Sequence, residues 1–302
     1  MTTLAIVLIL LSAVLHAGWN LLSKHSHPST AFFFWATLFG VLACSPYLLW
    51  ELTLSRGVLQ SVGALLLMTG FSMALYYAAL AGAYRHGAIS IAYPLARAIP
   101  VLLVSLYTVV FEHGQPLSGG FALGVALILL GCFMLPMRHL RDFRLRNYWN
   151  PSCGFALLAA LGTTGYTLLD DVALQQLRAQ DLTSAGNLRL SLVYGGLEAL
   201  ACCLWLGLLI VLIPREADKL RLEWRGNRLQ ALVTGLVIWV AYLLVLISLA
   251  HVDNVGYVIA FRQLSIPLGA ALGMLVLREA VTAPKLLGMA LLFLGLSLVA
   301  LA

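Results

Sequence analysis

Polar and ionisable side chains recur at helical spacing inside otherwise apolar stretches, and each set implies a chemistry. His16, Asn20 and Lys24 stand at i, i+4 and i+8, on one helix face. His16 reads either as a proton relay or substrate ligand, or as an imidazole bonded to a nearby backbone carbonyl. Ser90, Tyr93 and Arg97 share another face, with Pro94 and Pro100 flanking Arg97 and freeing backbone carbonyls. A guanidinium deep in an apolar run needs a carboxylate, carbonyls, water or an anionic substrate group. Asn187, Ser191, Tyr194 and Glu198 fall within about 60° of one helical wheel. Glu198 is either a proton carrier or one half of a fixed ion pair with Arg97 or Arg262. Thr163, Thr167 and Asp170 line a further face, and Asp170 and Asp171 read as interfacial acids at a helix end. Arg262, with Gln263, is the second deep cation, and Trp19, Tyr76, Tyr93 and Tyr194 are aromatic candidates for a cavity wall.

The elements that carry these residues are set by composition. Of 302 residues, 62% are hydrophobic and 10% charged, and the mean hydropathy is +0.96. A soluble domain carries about 25% charged residues, so the solvent of most of this surface is lipid. About ten stretches approach the roughly 20 apolar residues a spanning helix needs: 4–22, 31–50, 61–83, 88–111, 118–137, 152–177, 186–213, 229–250, 255–277 and 285–301. Such lengths favour helices over the shorter strands of outer-membrane barrels. An ionisable group placed in such a span costs about 2.5–3.5 kcal/mol on insertion scales, so each one invites a functional reading. Lys24, nearer a span end, reads as a side chain reaching the interface.

Half of the chain echoes the other half. Ile99-Pro100 and Ile266-Pro267 each open an apolar run, and Glu112 and Glu279 each follow twelve residues after the proline. Gly124 and Gly288 then open the next run, with Gly131 and Gly295 seven residues on. The charged stretch from Arg138 to Arg146 divides the spans five and five, giving repeats over 1–150 and 151–302. An odd span count per repeat makes the halves enter the membrane in opposite directions. Glu112 and Glu279 read as structural groups at helix ends. The second charged stretch, Arg215 to Arg228, reads as a long connection.

The net charge of +6 and pI near 9.2 come from basic residues in short loops beside apolar runs. That pattern belongs to membrane orientation and argues against nucleic-acid binding. Connections after odd-numbered spans hold most of the cations, which by the positive-inside rule makes them cytoplasmic and both termini external. The five cysteines have no zinc-like spacing, and His25 and His27 alone are a poor metal site. There is no HExxH, GxSxG, Walker or dinucleotide motif. Nothing requires a cofactor; an integral-membrane enzyme would need a nucleophile or metal constellation that the sequence lacks, and a non-transporting adaptor would not need several polar helix faces.

The chain resembles the EamA family of the drug/metabolite transporter superfamily. His16-Ala17-Gly18-Trp19-Asn20 with Lys24, the two Pro…Glu blocks and the five-plus-five duplication carry the resemblance. It implies a ten-helix secondary transporter in the cell membrane, with a central cavity between the halves and both termini in the cytoplasm. The second half departs from the pattern at Gly165-Tyr166-Thr167 with Asp170-Asp171, so the first-helix polar residues carry over to the first half only. The expectation is therefore an all-α membrane protein of two inverted five-helix repeats that moves a small anionic or zwitterionic metabolite. Its site would comprise His16, Trp19, Asn20, Tyr76, Tyr93, Arg97, Tyr194, Glu198 and Arg262, with no metal. A coupling proton at Glu198 or His16 belongs to this reading, and a homodimer is compatible with it.

Overall fold

A computed structural model describes residues 2–26, 28–111, 119–141, 148–179, 186–249, 261–262 and 264–301. Eleven helices fill the described residues: α1 (Thr3–His25), α2 (Thr30–Trp50), α3 (Leu52–His86), α4 (Ile89–Phe111), α5 (Gly119–Met134), α6 (Pro151–Ala179), α7 (Asn187–Leu212), α8 (Pro214–Gly226), α9 (Arg228–Leu249), α10 (Ser265–Leu275) and α11 (Ala283–Leu301). Six of them, α1, α2, α3, α6, α7 and α9, are long and apolar enough to cross a membrane; α4, α5, α10 and α11 supply apolar stretches of 10–17 residues.

The polarity is that of a protein in lipid. On α1, Leu11 and Val14 are exposed while Ser12, His16, Asn20 and Ser23 are buried. On α7, Leu204 and Val211 face out and Glu198 faces in. Apolar faces of this extent are tolerable where lipid covers them, and the polar faces then meet one another inside the bundle. Thr2 and Ser29 cap α1 and α2 by accepting from Ala5 N and Phe32 N. Residues 52–60, expected as a connection, are helical; α3 starts at Leu52 and runs on past them, with a break in helical geometry at Val62. The connection 214–228 is likewise mostly a helix, α8, started by Pro214.

Helix α8 is tied down through its acids. Glu216 accepts from Thr30 N at 2.9 Å, and Ser29 Oγ donates to Glu223 at 2.6 Å, so α8 caps the N-terminus of α2. Trp224 packs on Trp35 and Phe39. Burial alone would raise the Glu216 carboxyl, but Lys219 at 2.6 Å, Arg85 at 3.5 Å and the Thr30 N–H outweigh it and hold it below its ordinary value. A carboxyl lowered in the folded state contributes stability above its unfolded-state pKa and loses it as pH falls through the folded-state one. Tryptophan fluorescence at the Trp35–Trp224 contact should therefore be steady at neutral pH and change on acidification. Glu216→Gln should produce the change already at neutral pH; an unaltered spectrum would mean that α8 docks through its aromatic contacts alone.

Helix packing follows a simple scheme. α3 lies along α6 and α7, α1 and α2 lie along α9, α2 meets α7, α4 meets α6 and α10, α1 meets α10, and α5 meets α11. At the α5–α11 crossing the four repeated glycines face one another. A Cβ on Gly131 would lie 2.7 Å from Gly288 O, and one on Gly124 would lie 2.8 Å from Gly295 O; the reverse approaches are 2.9 and 2.6 Å. Small residues allow such close backbone contact, the main source of helix association where lipid removes the hydrophobic drive. Gly131→Val should lower the melting temperature in detergent, since overpacking costs about 1–3 kcal/mol. An unchanged melting temperature would mean that the two helices can part without loss.

Candidate functional site

The α3–α4 corner fixes the phase of α4 and with it Arg97. Lys24, expected to reach for the interface, instead donates to the carbonyls of Tyr84 and Gly87, the latter at 2.7 Å, at the end of α3. Glu279 accepts from Ile89 N at 2.7 Å and Ser90 N at 2.9 Å, supplying the first turn of α4 with an acceptor from a distant part of the chain. Arg278, immediately before it, has φ 52, an uncommon left-handed backbone for a side chain of its size. Glu279 thus serves a helix end, though of another helix. Glu112 and Gln263 lie outside the described residues, as does the side chain of Asn187.

Below this corner the polar faces converge. Trp19, Tyr76, Tyr93, Arg97, Tyr194, Glu198, His16, Asn20 and Arg262 are all buried. His16 Nδ1 lies 3.0 Å from Ser12 O, which can only accept, so Nδ1 carries the hydrogen. That is the local backbone bond weighed above for this residue. Asn20 is engaged at both ends of its amide: Nδ2 donates to His16 O at 2.7 Å and Oδ1 accepts from Tyr84 Oη at 2.5 Å. Asn20 thereby ties α1 to α3.

The arginines are different. Arg97 is 2% exposed and Arg262 6%. Neither guanidinium has a hydrogen bond or an ion pair to a described residue, and Arg97 Nε and Arg262 Nε and Nη2 are buried without a partner. Both lie within electrostatic reach of His16, Tyr76 and Tyr93, so they converge on one region. The fixed pair between Glu198 and either arginine does not form. Trp19 Nε1, Tyr93 Oη and Glu198 Oε2 are also buried and unpartnered. Buried polar atoms of this kind are rare and call for an explanation.

A run of rings backs the region. Trp19 meets Tyr77 at 6.3 Å, Tyr77 meets Tyr76 at 5.0 Å, Tyr76 meets Tyr166 at 6.0 Å, and Tyr166 meets Tyr242 at 6.1 Å. At its far end Asp170 accepts from Tyr194 at 2.8 Å and from Tyr242. Asp170 is 3% exposed and hydrogen-bonded to two tyrosines, and α6 continues nine residues beyond it to Ala179, so it is not the interfacial acid expected; Asp171 beside it is half-buried. Asp170, Tyr166 and Tyr242 are therefore additions to the site residues expected from the sequence. The stripe Thr163–Thr167–Asp170 was the available signal for Asp170. Tyr242 has none, since Ile238 and Leu246 flank it at i±4. Two guanidinium groups without a partner among the described residues, a carboxyl pair and an aromatic wall are groups able to hold a small molecule by charge-assisted hydrogen bonds.

These features define a multi-pass helical membrane protein with a buried polar centre. Residues 3–137 match the model of the EamA-like transporter family, which is part of the drug/metabolite transporter superfamily. No curated protein matches the chain. Nine chains of solved structures do. One of them, described only as a crystal structure of a protein, is 15% identical, covers 100% of this chain and 98% of its own, and superposes with a TM-score of 0.58; it supports the fold.

Proposed function

We propose that this chain is a ten-span secondary transporter of the cell membrane that moves a small anionic or zwitterionic, amino-acid-like metabolite by alternating access. The observation that carries the proposal is the pair of buried guanidinium groups, Arg97 and Arg262, without a counter-ion among the described residues. A lone buried cation costs several kcal/mol, and a substrate carboxylate or phosphate would offset that cost at each binding event. The aromatic wall from Trp19 to Tyr242 would take the rest of the substrate, and Asp170 and Glu198 lie on the side where an ammonium group or a coupling proton would sit. His16, Tyr76, Tyr93 and Tyr194 complete the lining, with Asn20 bracing α1 beside it.

The inverted repeat, with units 1–150 and 151–302, is supported by the packing scheme. Exchange α1 for α6, α2 for α7, α3 for α9, α4 for α10 and α5 for α11. Then α3–α6 becomes α9–α1, α3–α7 becomes α9–α2 and α4–α6 becomes α10–α1, each a packed pair, while α2–α7, α4–α10 and α5–α11 map onto themselves. The glycine contacts obey the same exchange, Gly124–Gly295 mapping onto Gly288–Gly131. Such a relation would put the substrate region between two halves that rock against each other.

The test is ligand-dependent melting of the purified protein across a metabolite panel. A ligand at a hundredfold its Kd stabilises by about 2.7 kcal/mol. Anionic or zwitterionic compounds should raise the melting temperature and their neutral amides should not. Equal shifts from both, or none from any compound, would refute the arginine site.

A further inference from the structure

Tyr242 stands between two carboxyls from different helices. Its hydroxyl hydrogen-bonds Asp170 Oδ2 on α6 and lies 3.2 Å from Glu198 Oε1 on α7. The exposures of Asp170, Tyr242 and Glu198 are 3%, 9% and 0%. A phenol carries one hydrogen, and an ionised carboxylate only accepts. The Tyr194 hydrogen is already given to Asp170 Oδ1 at 2.8 Å. If Tyr242 donates to Asp170, its contact with Glu198 is a hydrogen bond only when Glu198 supplies the hydrogen. If it donates to Glu198, Asp170 must supply it. A single proton on the pair satisfies both contacts, and two ionised carboxylates satisfy only one of them.

Among the described residues, the surroundings of the pair are otherwise neutral apart from one cation. Tyr77 of α3, Tyr194 and Cys202 of α7 and Tyr242 of α9 face the two carboxyls, and Arg262 lies within electrostatic reach of both. Arg262 makes no ion pair with either carboxyl, and two of its nitrogens are unpartnered.

We propose that Asp170, Tyr242 and Glu198 form a one-proton site linked through Arg262 to the anion site, so that a proton and an anionic substrate group bind together. The proposal rests on the transporter reading and names its coupling ion, the residues that hold it and the sign of the coupling. With the proton in place, the pair has one negative charge, held by two tyrosine hydroxyls, and Arg262 is available to the substrate. When the carboxyl O–H bond breaks, the proton passes to water and the electron pair stays as a second carboxylate charge. That charge competes with the substrate anion for Arg262. By linkage the effect is reciprocal: a bound anion tightens the hold on the proton. Coupling of this sign drives anion and proton in the same direction.

Infrared difference spectroscopy of the purified protein tests the site without a substrate. Wild type minus Glu198→Gln at neutral pH should contain the carbonyl band of a protonated carboxylic acid, shifted in deuterated water. Tyr242→Phe should move that band while near-ultraviolet circular dichroism stays unchanged. In Arg262→Gln the band should persist to higher pH, by about tenfold in proton affinity. Absence of the band from wild type, or its survival unmoved in both Glu198→Gln and Tyr242→Phe, would overturn the one-proton site. A titration unmoved in Arg262→Gln would overturn the link to the anion site. If Glu198→Gln does not fold, Asp170→Asn with Tyr242→Phe answers the same question. A band present in a protein that transports nothing would leave the proton site and defeat the transporter reading. Transport with no band would do the reverse.

Discussion

Arg97→Ala should weaken binding of an anionic or zwitterionic ligand by about ten- to a hundredfold and leave the purified protein as heat-stable as wild type. The loss of a charge-assisted hydrogen bond costs about 1.5–3 kcal/mol, which is that range of affinity. The stability expectation comes from what the guanidinium does not do. It holds no carboxylate, no carbonyl and no hydroxyl among the described residues, so its removal breaks no bond to any of them. Truncation leaves a cavity, which destabilises, but it also removes a desolvated charge that shares its region with Arg262. Binding and melting measured on the same preparation separate the cases. An unfolded Arg97→Ala protein would make the arginine structural, and unchanged binding would put the substrate elsewhere.

Glu198→Gln should abolish accumulation driven by a pH gradient while sparing exchange of substrate for substrate. The amide keeps the shape of the carboxyl and its contact with Tyr242, 3.2 Å away in the wild type. It cannot take up or release a proton. Exchange returns the carrier loaded and needs no change in protonation, whereas net uphill movement does. Parallel assays of the two modes in one set of vesicles decide the matter. Loss of both would assign Glu198 to substrate binding or folding, and retention of both would remove it from coupling.

The echo of Ile99-Pro100 to Gly131 in Ile266-Pro267 to Gly295 was legible in the sequence, and two of its residue types have a physical reason in the structure. Glu279 supplies an acceptor to a helix start, and the paired glycines let two backbones touch. The polar faces of α1, α4 and α7 were legible for the same physical reason: a charge in an apolar run is too costly to be accidental. What escaped depended on where helices end and on partners distant in sequence. Asp170 looked interfacial because an acid pair reads as a helix end, although the stretch 152–177 already extended past it and α6 runs on to Ala179. Tyr242 is a lone tyrosine in an apolar helix, and only the meeting of α6, α7 and α9 gives its hydroxyl two carboxyls. Helix α8 hid in a run of charges, its two capping acids indistinguishable in sequence from solvated ones. Lys24 was read as a side chain seeking water because its carbonyl partners lie 60 and 63 residues away.

The central claim, that the arginine pair is the anion-holding part of a transport site, is tested most directly by counterflow. Proteoliposomes preloaded with an unlabelled member of an anionic and zwitterionic metabolite panel are diluted into trace labelled compound, with wild type and Arg97→Ala side by side. Wild-type vesicles should draw in label for at least one panel member, and Arg97→Ala vesicles should lose that uptake at the same trace concentration. No uptake by wild type for any panel member, or equal uptake by Arg97→Ala, would contradict the claim.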